Sequence, residues 1–353
     1  MAEKVLMKGN EAMAESAIRA GCRYFFGYPI TPQTELSAYM SKMMPKIDGC
    51  FLQAESEVSA INMVYGASAA GARVMTSSSS PGISLKTEGI SYMAGADLPG
   101  VIVNVQRGGP GLGSIQPSQS DYWQATRALG HGDLRVIVYA PSTVQEMADY
   151  AYRAFDAADE YRTPVMIIAD GLLGQMMEPV ELPEHKTELP EKPWATVGHK
   201  NQRKHNIANS LYLTADELED LVVERFKRYE VIKENEQRWE SFMVEDAEVV
   251  VVAYGASARV SRSAIMAARE KGLKVGLLRP ITLWPFPVKA FDECVNAKGY
   301  LSVEMNMGQM IDDIRLTLGN DTPIEHFGRT GGNIPTPDEV LLHIEGLLEK
   351  VGA

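Results

Sequence analysis

The chain has 353 residues, beyond the usual size of one domain, so two domains are expected. A hydrophobic content of 45% is that of a globular protein with a sizeable core, and a net charge of −12 argues against a nucleic-acid surface or a polybasic membrane patch. No apolar run approaches the length of a membrane span and Met1 to Lys8 lack a signal-peptide core, so a cytoplasmic protein is expected.

In chain order, residues 10–20 read as a helix closed by Gly21 at the C′ position. Tyr24-Phe25-Phe26 reads as a strand, followed by Gly27-Tyr28-Pro29-Ile30-Thr31-Pro32 and a helix over 33–43. The two prolines around Ile-Thr make a stiff turn, because each fixes its own φ and pushes its predecessor out of the helical region. Phe51-Leu52-Gln53 is strand-like and a helix follows over 55–71. Further strands are predicted at 73–76, 101–105, 135–139 and 165–169, with helices at 88–96 and 143–159. Near-continuous apolar strands alternating with helices indicate a buried parallel sheet with helices on both faces.

From 178 to 193 Pro, Glu and Lys dominate, as in an exposed connector. Thr214-Ala215-Asp216-Glu217 has the form of a capping box opening a long charged helix toward Phe242. A second α/β unit starts at the apolar run 248–255, continues with a helix over 256–271 and strands at 275–278 and 300–303, and ends in a helix over 337–350. The expected organisation is an α/β domain over 1–177, a linker with the long helix over 178–245, and a second α/β domain over 246–353.

Three positions are candidates for chemistry, each with two readings. Thr31 is either the N-cap of the helix at 33–43, with Pro32 as its first residue, or a hydroxyl presented to a ligand by a rigid turn. Glu57, like Glu55, either complements a helix dipole or points a carboxylate from a strand end into the crevice where open α/β sheets bind ligands. Arg107, directly after a buried strand, either clamps a carboxylate in a bidentate fork or lies solvated at the surface. The turn Ser77-Ser78-Ser79-Ser80-Pro81-Gly82 offers hydroxyl donors and close backbone approach. Arg107 to Gly113 contains G-x-G-x-G but neither G-x-G-x-x-G nor a P-loop lysine, so it reads as a mobile lid or a loop pressed against another chain.

Cys22, Cys50 and Cys294 are widely spaced, odd in number and form no C-x-x-C pair. This chain alone can supply neither a disulfide framework nor the four thiolates of an iron–sulfur cluster. The six histidines show no H-E-x-x-H spacing, and no metal bound wholly by this chain is expected. A G-D-G followed by a distal Asn, with which thiamine enzymes hold magnesium diphosphate, is also missing.

Together these segments resemble the alpha subunit of a 2-oxoacid:ferredoxin oxidoreductase. The resemblance rests on Gly27 to Pro32, Gln53-Ala54-Glu55-Ser56-Glu57 with Gly66 to Gly71, the serine turn 77–82 and Asn104-Val105-Gln106-Arg107-Gly108. It continues through Ile281-Thr282-Leu283-Trp284-Pro285-Phe286-Pro287 and Gly331-Gly332-Asn333-Ile334-Pro335-Thr336. The branched-chain (2-oxoisovalerate) branch is nearest in pattern, with the 2-oxoglutarate branch next.

The resemblance implies a thiamine diphosphate enzyme split across chains. This chain would carry a pyrimidine-binding-type α/β domain followed by a transketolase C-terminal-like domain. A beta subunit would hold the diphosphate and Mg2+, and gamma and Cys-rich ferredoxin-like delta subunits with iron–sulfur clusters would complete the complex. Glu57 falls where the family places the acid that hydrogen-bonds the aminopyrimidine ring, with Tyr28, Pro29 and Ile30 against the same cofactor. Thr31 matches the hydroxyl on the substrate's carbonyl or carboxylate, and Arg107 the carboxylate-binding arginine. The implied reaction converts a 2-oxoacid, coenzyme A and oxidised ferredoxin to acyl-CoA, carbon dioxide and reduced ferredoxin. The alternatives are a non-oxidative transketolase-like subunit and a non-catalytic scaffolding subunit. A general dinucleotide-binding protein is disfavoured by the missing fingerprint.

Overall fold

The computed structural model describes residues 4–319 and 321–352. The first elements are β1 (Lys4–Lys8), α1 (Gly9–Arg19), β2 (Tyr24–Gly27), α2 (Thr34–Met43), β3 (Cys50–Gln53), α3 (Glu57–Ala69), β4 (Val74–Ser78), α4 (Ser80–Gly95) and β5 (Gly100–Gln106). Then come α5 (Tyr122–Thr126), β6 (Ile137–Tyr139), α6 (Val144–Tyr161), β7 (Pro164–Asp170), α7 (Gly171–Gln175), β8 (Met177–Glu181) and α8 (Ala215–Asn235). The remainder comprises β9 (Trp239–Phe242), β10 (Val249–Val252), α9 (Gly255–Glu270), β11 (Val275–Pro280), β12 (Thr282–Trp284), β13 (Gly299–Glu304), α10 (Ile311–Leu318), β14 (Ile324–Gly328) and α11 (Pro337–Lys350).

The first sheet has the order β12-β6-β7-β5-β4-β2-β3, parallel throughout except for β12, which runs antiparallel to β6. Alternate residues of its strands face opposite sides. Val101, Val103 and Val105 meet Met13 of α1, Met40 of α2 and Phe155 of α6, while Ile102 joins Ile61 of α3 and Ile90 of α4. The second sheet, β14-β13-β10-β11-β9, alternates likewise. Val249 and Val251 pack on α9 and α11, whereas Val250 and Val252 enter the same core as Ile102. One apolar core therefore joins both sheets.

From β2 the chain passes through α2 to β3 on one side, and β4 lies on the other side of β2. Strand order reverses there, and a crevice opens outside the carboxyl ends of β2 and β4. The turn 27–32 and the serines at 77–80 both lie at this point.

Local structure departs from the sequence expectations at several places. The serine segment is no turn: β4 runs to Ser78 and α4 begins at Ser80, eight residues before the expected helix. Pro81 sits in its first turn, where a missing N–H costs nothing. The N-cap of α2 is Gln33, not Thr31, because a turn from the Ile30 carbonyl to the Gln33 N–H (3.2 Å) precedes the helix. Thr214 caps α8 without a side-chain hydrogen bond, and α8 ends at Asn235, leaving 239–242 as an antiparallel edge strand of the second sheet. β1 and β8, absent from the expectations, pair antiparallel beside α1.

Candidate active site

Ser56 caps α3 by accepting from the Ser59 N–H at 3.2 Å, which leaves Glu57 as the first helical residue, 6% exposed. Its carboxylate lies against the start of α4: a Cβ on Gly82 would stand 2.1 Å from Ser78 Oγ and 2.6 Å from Glu57 Oε1. Only glycine lets the helix pass here. Ser78 Oγ and Ser79 Oγ are both buried without a hydrogen-bond partner. Buried hydroxyls left unpaired are costly unless a ligand completes them. A carboxylate and two such hydroxyls at one strand end suit the polar edge of a heteroaromatic ring, so the site fits the pyrimidine half of thiamine diphosphate.

Arg107 is 7% exposed, which removes the solvated reading. Its Nη1 donates to the Thr31 carbonyl and its Nη2 to the Leu112 carbonyl, both at 3.1 Å, while Nε is buried without a partner. The guanidinium thus staples the turn 27–32 to the glycine loop 108–114. Its backbone N–H donates to Ser80 Oγ (3.0 Å), and that hydroxyl donates to Asp121 Oδ2 at 2.6 Å. Asn104 Nδ2 reaches the same carboxylate oxygen at 2.9 Å. Burial pushes the Asp121 carboxyl above its ordinary range, and the Ser80 and Asn104 hydrogen bonds oppose that shift.

Thr31 is exposed on the turn, as are Tyr28 and Pro29, with Ile30 half-buried. The turn is fixed by Gln33, wholly buried, whose Nε2 donates to the Tyr28 carbonyl at 3.2 Å and whose Oε1 accepts from Ser77 Oγ at 2.5 Å. Thr31 lines a cleft of about 440 Å³ with Pro32, Ile115, Leu172, Met176 and Ile334. The second domain therefore contributes a wall: a Cβ on Gly332 would stand 2.3 Å from Gln116 Cβ. Among the described residues lining this cleft none is Lys, Arg or His.

The loop leaving Arg107 is anchored in the second domain by Gln119, 1% exposed. Its Nε2 donates to the Tyr254 carbonyl at 2.8 Å, and its Oε1 accepts from Ser257 Oγ at 2.7 Å and from the Met305 N–H at 3.0 Å. All three chemistry candidates thus gather at the carboxyl edge of the first sheet, with Thr31 and Arg107 in contact and Glu57 one strand end away. Gln33, Asn104, Gln119 and Asp121 escaped the sequence reading. A signal existed for Asn104, a polar residue inside the apolar run Val101 to Val105; none marked Gln33 or Gln119.

Comparison with known proteins gives the arrangement a family. Residues 15–241 match the family model described as pyruvate flavodoxin/ferredoxin oxidoreductase, thiamine diP-bdg, and residues 247–340 match pyruvate:ferredoxin oxidoreductase core domain II. The chain is 50% identical over 348 residues to the ketoisovalerate oxidoreductase subunit VorB of Methanothermobacter thermautotrophicus, covering 98% of this chain and 96% of that protein. It is 35% identical over 382 residues to the 2-oxoglutarate synthase subunit KorA of the same organism, covering 97% of this chain and 98% of the relative. Among solved structures, 2-oxoglutarate:ferredoxin oxidoreductase from Magnetococcus marinus superposes with a TM-score of 0.87 at 28% identity, over 99% of this chain and 66% of that one. A split-gene transketolase shares the fold at a TM-score of 0.61 and 13% identity. The buried acid near the unpaired Ser78 hydroxyl, the stapled turn and these matches agree: the chain belongs to the 2-oxoacid:ferredoxin oxidoreductase family, as a subunit carrying the thiamine diphosphate-binding domain and core domain II.

Proposed function

We propose that this chain is the alpha subunit of a multi-subunit, thiamine diphosphate-dependent 2-oxoisovalerate:ferredoxin oxidoreductase. It would form a branched acyl-CoA, carbon dioxide and reduced ferredoxin from the 2-oxoacid and coenzyme A. The observation carrying the substrate choice is the cleft beside Thr31, walled by Ile115, Leu172, Met176 and Ile334 without a cationic side chain. A branched alkyl group is favourably buried against these four side chains, whereas the second carboxylate of 2-oxoglutarate would exchange its hydration for the neutral amides of Gln116 and Gln175 and no cation.

In this reading Glu57 hydrogen-bonds the aminopyrimidine ring, with Tyr28, Pro29 and Ile30 against the same cofactor, and the hydroxyls of Ser78 and Ser79 complete the polar edge. Bound thiamine diphosphate supplies the carbon nucleophile for the 2-oxo group and takes up the electrons released on decarboxylation. Arg107 holds the substrate carboxylate through its unpartnered Nε, and the Thr31 hydroxyl orients the adjacent carbonyl. Magnesium, the diphosphate and the iron–sulfur clusters are assigned to partner subunits: beta, gamma and a Cys-rich delta chain, in the cytoplasm.

Reconstitution with the partner subunits tests this, with ferredoxin reduction followed on 2-oxoisovalerate, 2-oxoglutarate and pyruvate. The expected kcat/KM is highest for 2-oxoisovalerate. Equal or better use of 2-oxoglutarate would overturn the substrate assignment, and full turnover by the isolated chain would overturn the split site.

A further inference from the structure

Lys86 is wholly buried on α4, and the reading above gives it no task. Gly82, Lys86 and Gly89 share one face of α4, since residues three and four apart stack along a helix. The two glycines bring α3 close: a Cβ on Gly82 would stand 2.6 Å from Glu57 Oε1, and one on Gly89 would stand 2.5 Å from Ile61 Cγ2. Between these contacts an apolar side chain would pack without electrostatic cost, yet the position carries an amine, and taking an ammonium out of water is expensive. The Nζ donates to Thr76 Oγ1 at 2.5 Å and to the Ser77 carbonyl at 3.2 Å, which leaves one donor of the ammonium beyond these two bonds. From α3 the titratable group acting on it is Glu57; β4 offers the Thr76 hydroxyl and the Ser77 carbonyl. Burial pushes the amine down to about 7, and the Glu57 charge works against that shift.

We propose that Lys86 is a positioning residue that sets the electrostatic grip of Glu57 on a ring nitrogen. While protonated, Lys86 offsets part of the carboxylate's charge. When the N–H bond breaks and the proton passes to solvent, Glu57 holds a protonated ring nitrogen more strongly. The device rests on the reading of Glu57 as the acid facing the aminopyrimidine ring, and it makes cofactor retention depend on pH through the neutral range.

The test compares binding of thiamine diphosphate and of its 1′-deaza analogue, in which CH replaces the ring nitrogen, to the assembled complex from about pH 6 to about pH 8.5. The affinity ratio isolates the Glu57 bond. In the wild type this ratio should rise by about tenfold, with its midpoint near 7. Lys86→Met should stay at the high-pH ratio throughout and Lys86→Arg at the low-pH ratio. Identical profiles in all three would overturn the role of Lys86. Glu57→Gln should abolish the preference for thiamine diphosphate; if it does not, the Glu57 reading itself fails. Should either Lys86 variant misfold, the wild-type complex labelled with 13C at lysine Cε suffices. Lys86 should titrate near neutrality and at lower pH in Glu57→Gln, and an amine still charged at about pH 9 would overturn the proposal.

Discussion

The Arg107 guanidinium meets the Thr31 carbonyl at 3.1 Å although 76 residues separate the two in sequence. The contact spans the reversal of strand order, joining the turn after β2 to the loop after β5. Those bonds use two of the five guanidinium N–H donors, and the buried Nε makes none. In the function proposed above the arginine is at once a structural staple and a binding group.

That double duty separates two substitutions. Thr31→Ala keeps the carbonyl that Arg107 holds, so it should lower kcat/KM for the 2-oxoacid by roughly ten- to a hundredfold with no change in melting temperature. Arg107→Lys cannot bridge two carbonyls in a fixed fork and should cost about a thousandfold, with the 108–114 loop becoming sensitive to limited proteolysis. Steady-state kinetics and a proteolysis time course check both; equal losses in the two variants would contradict the staple.

Gly82→Ala and Gly89→Ala both crowd the α3–α4 seam, but at different neighbours. A methyl at 89 meets the branched Ile61 side chain and should destabilise the fold by about 1–3 kcal/mol while leaving thiamine diphosphate affinity intact. A methyl at 82 displaces Ser78 Oγ and Glu57 and should abolish cofactor binding even where the fold survives. Denaturant melts and binding calorimetry distinguish the two.

Gln119→Ala strands the Met305 N–H and the Ser257 hydroxyl in the domain interface, and leaves the Tyr254 carbonyl with the Ala258 N–H alone. Leaving such groups unpaired costs about 1–3 kcal/mol each when no water replaces the partner. A fall in denaturation midpoint is expected, together with a weakened hold on 2-oxoacid, because the same segment carries the loop from Arg107.

Asp170, at the end of β7, accepts from the Leu172 and Leu173 N–H groups through Oδ1, while burial raises its carboxyl from 3.8 to about 6. A raised carboxylate favours folding at low pH, fully below about 3.8, and that advantage fades as pH climbs through about 6. Asp170→Asn keeps the accepting oxygen and cannot ionise. Relative to the wild type it should gain up to about 3 kcal/mol between about pH 4 and about pH 7. Melting temperatures of both proteins across that range check the sign; a constant difference would contradict it.

Much of this was legible from residues alone. The parallel strands announced themselves as apolar runs, and the last helix stands at the expected 337–350, where the structure adds a capping box between Thr336 and Glu339. Glu57, Thr31 and Arg107 were marked by their place after strand ends. Strands β9 (Trp-Glu-Ser-Phe) and β14 (Ile-Glu-His-Phe-Gly) were not, because polar residues interrupt the apolar run that marks a buried strand, and β12 is hidden between Pro280 and Pro285. Lys86 was hidden for another reason: on a helix surface lysine is ordinary, and only the two glycines flanking it in space make its burial visible.

β9 precedes the second domain in sequence but completes its sheet, and β12 lies between that sheet's β11 and β13 in sequence but completes the first. A gene split between Glu245 and Asp246 would therefore give two polypeptides, neither encoding a whole sheet. Exchange of one domain for that of a relative would have to carry a strand of the other with it.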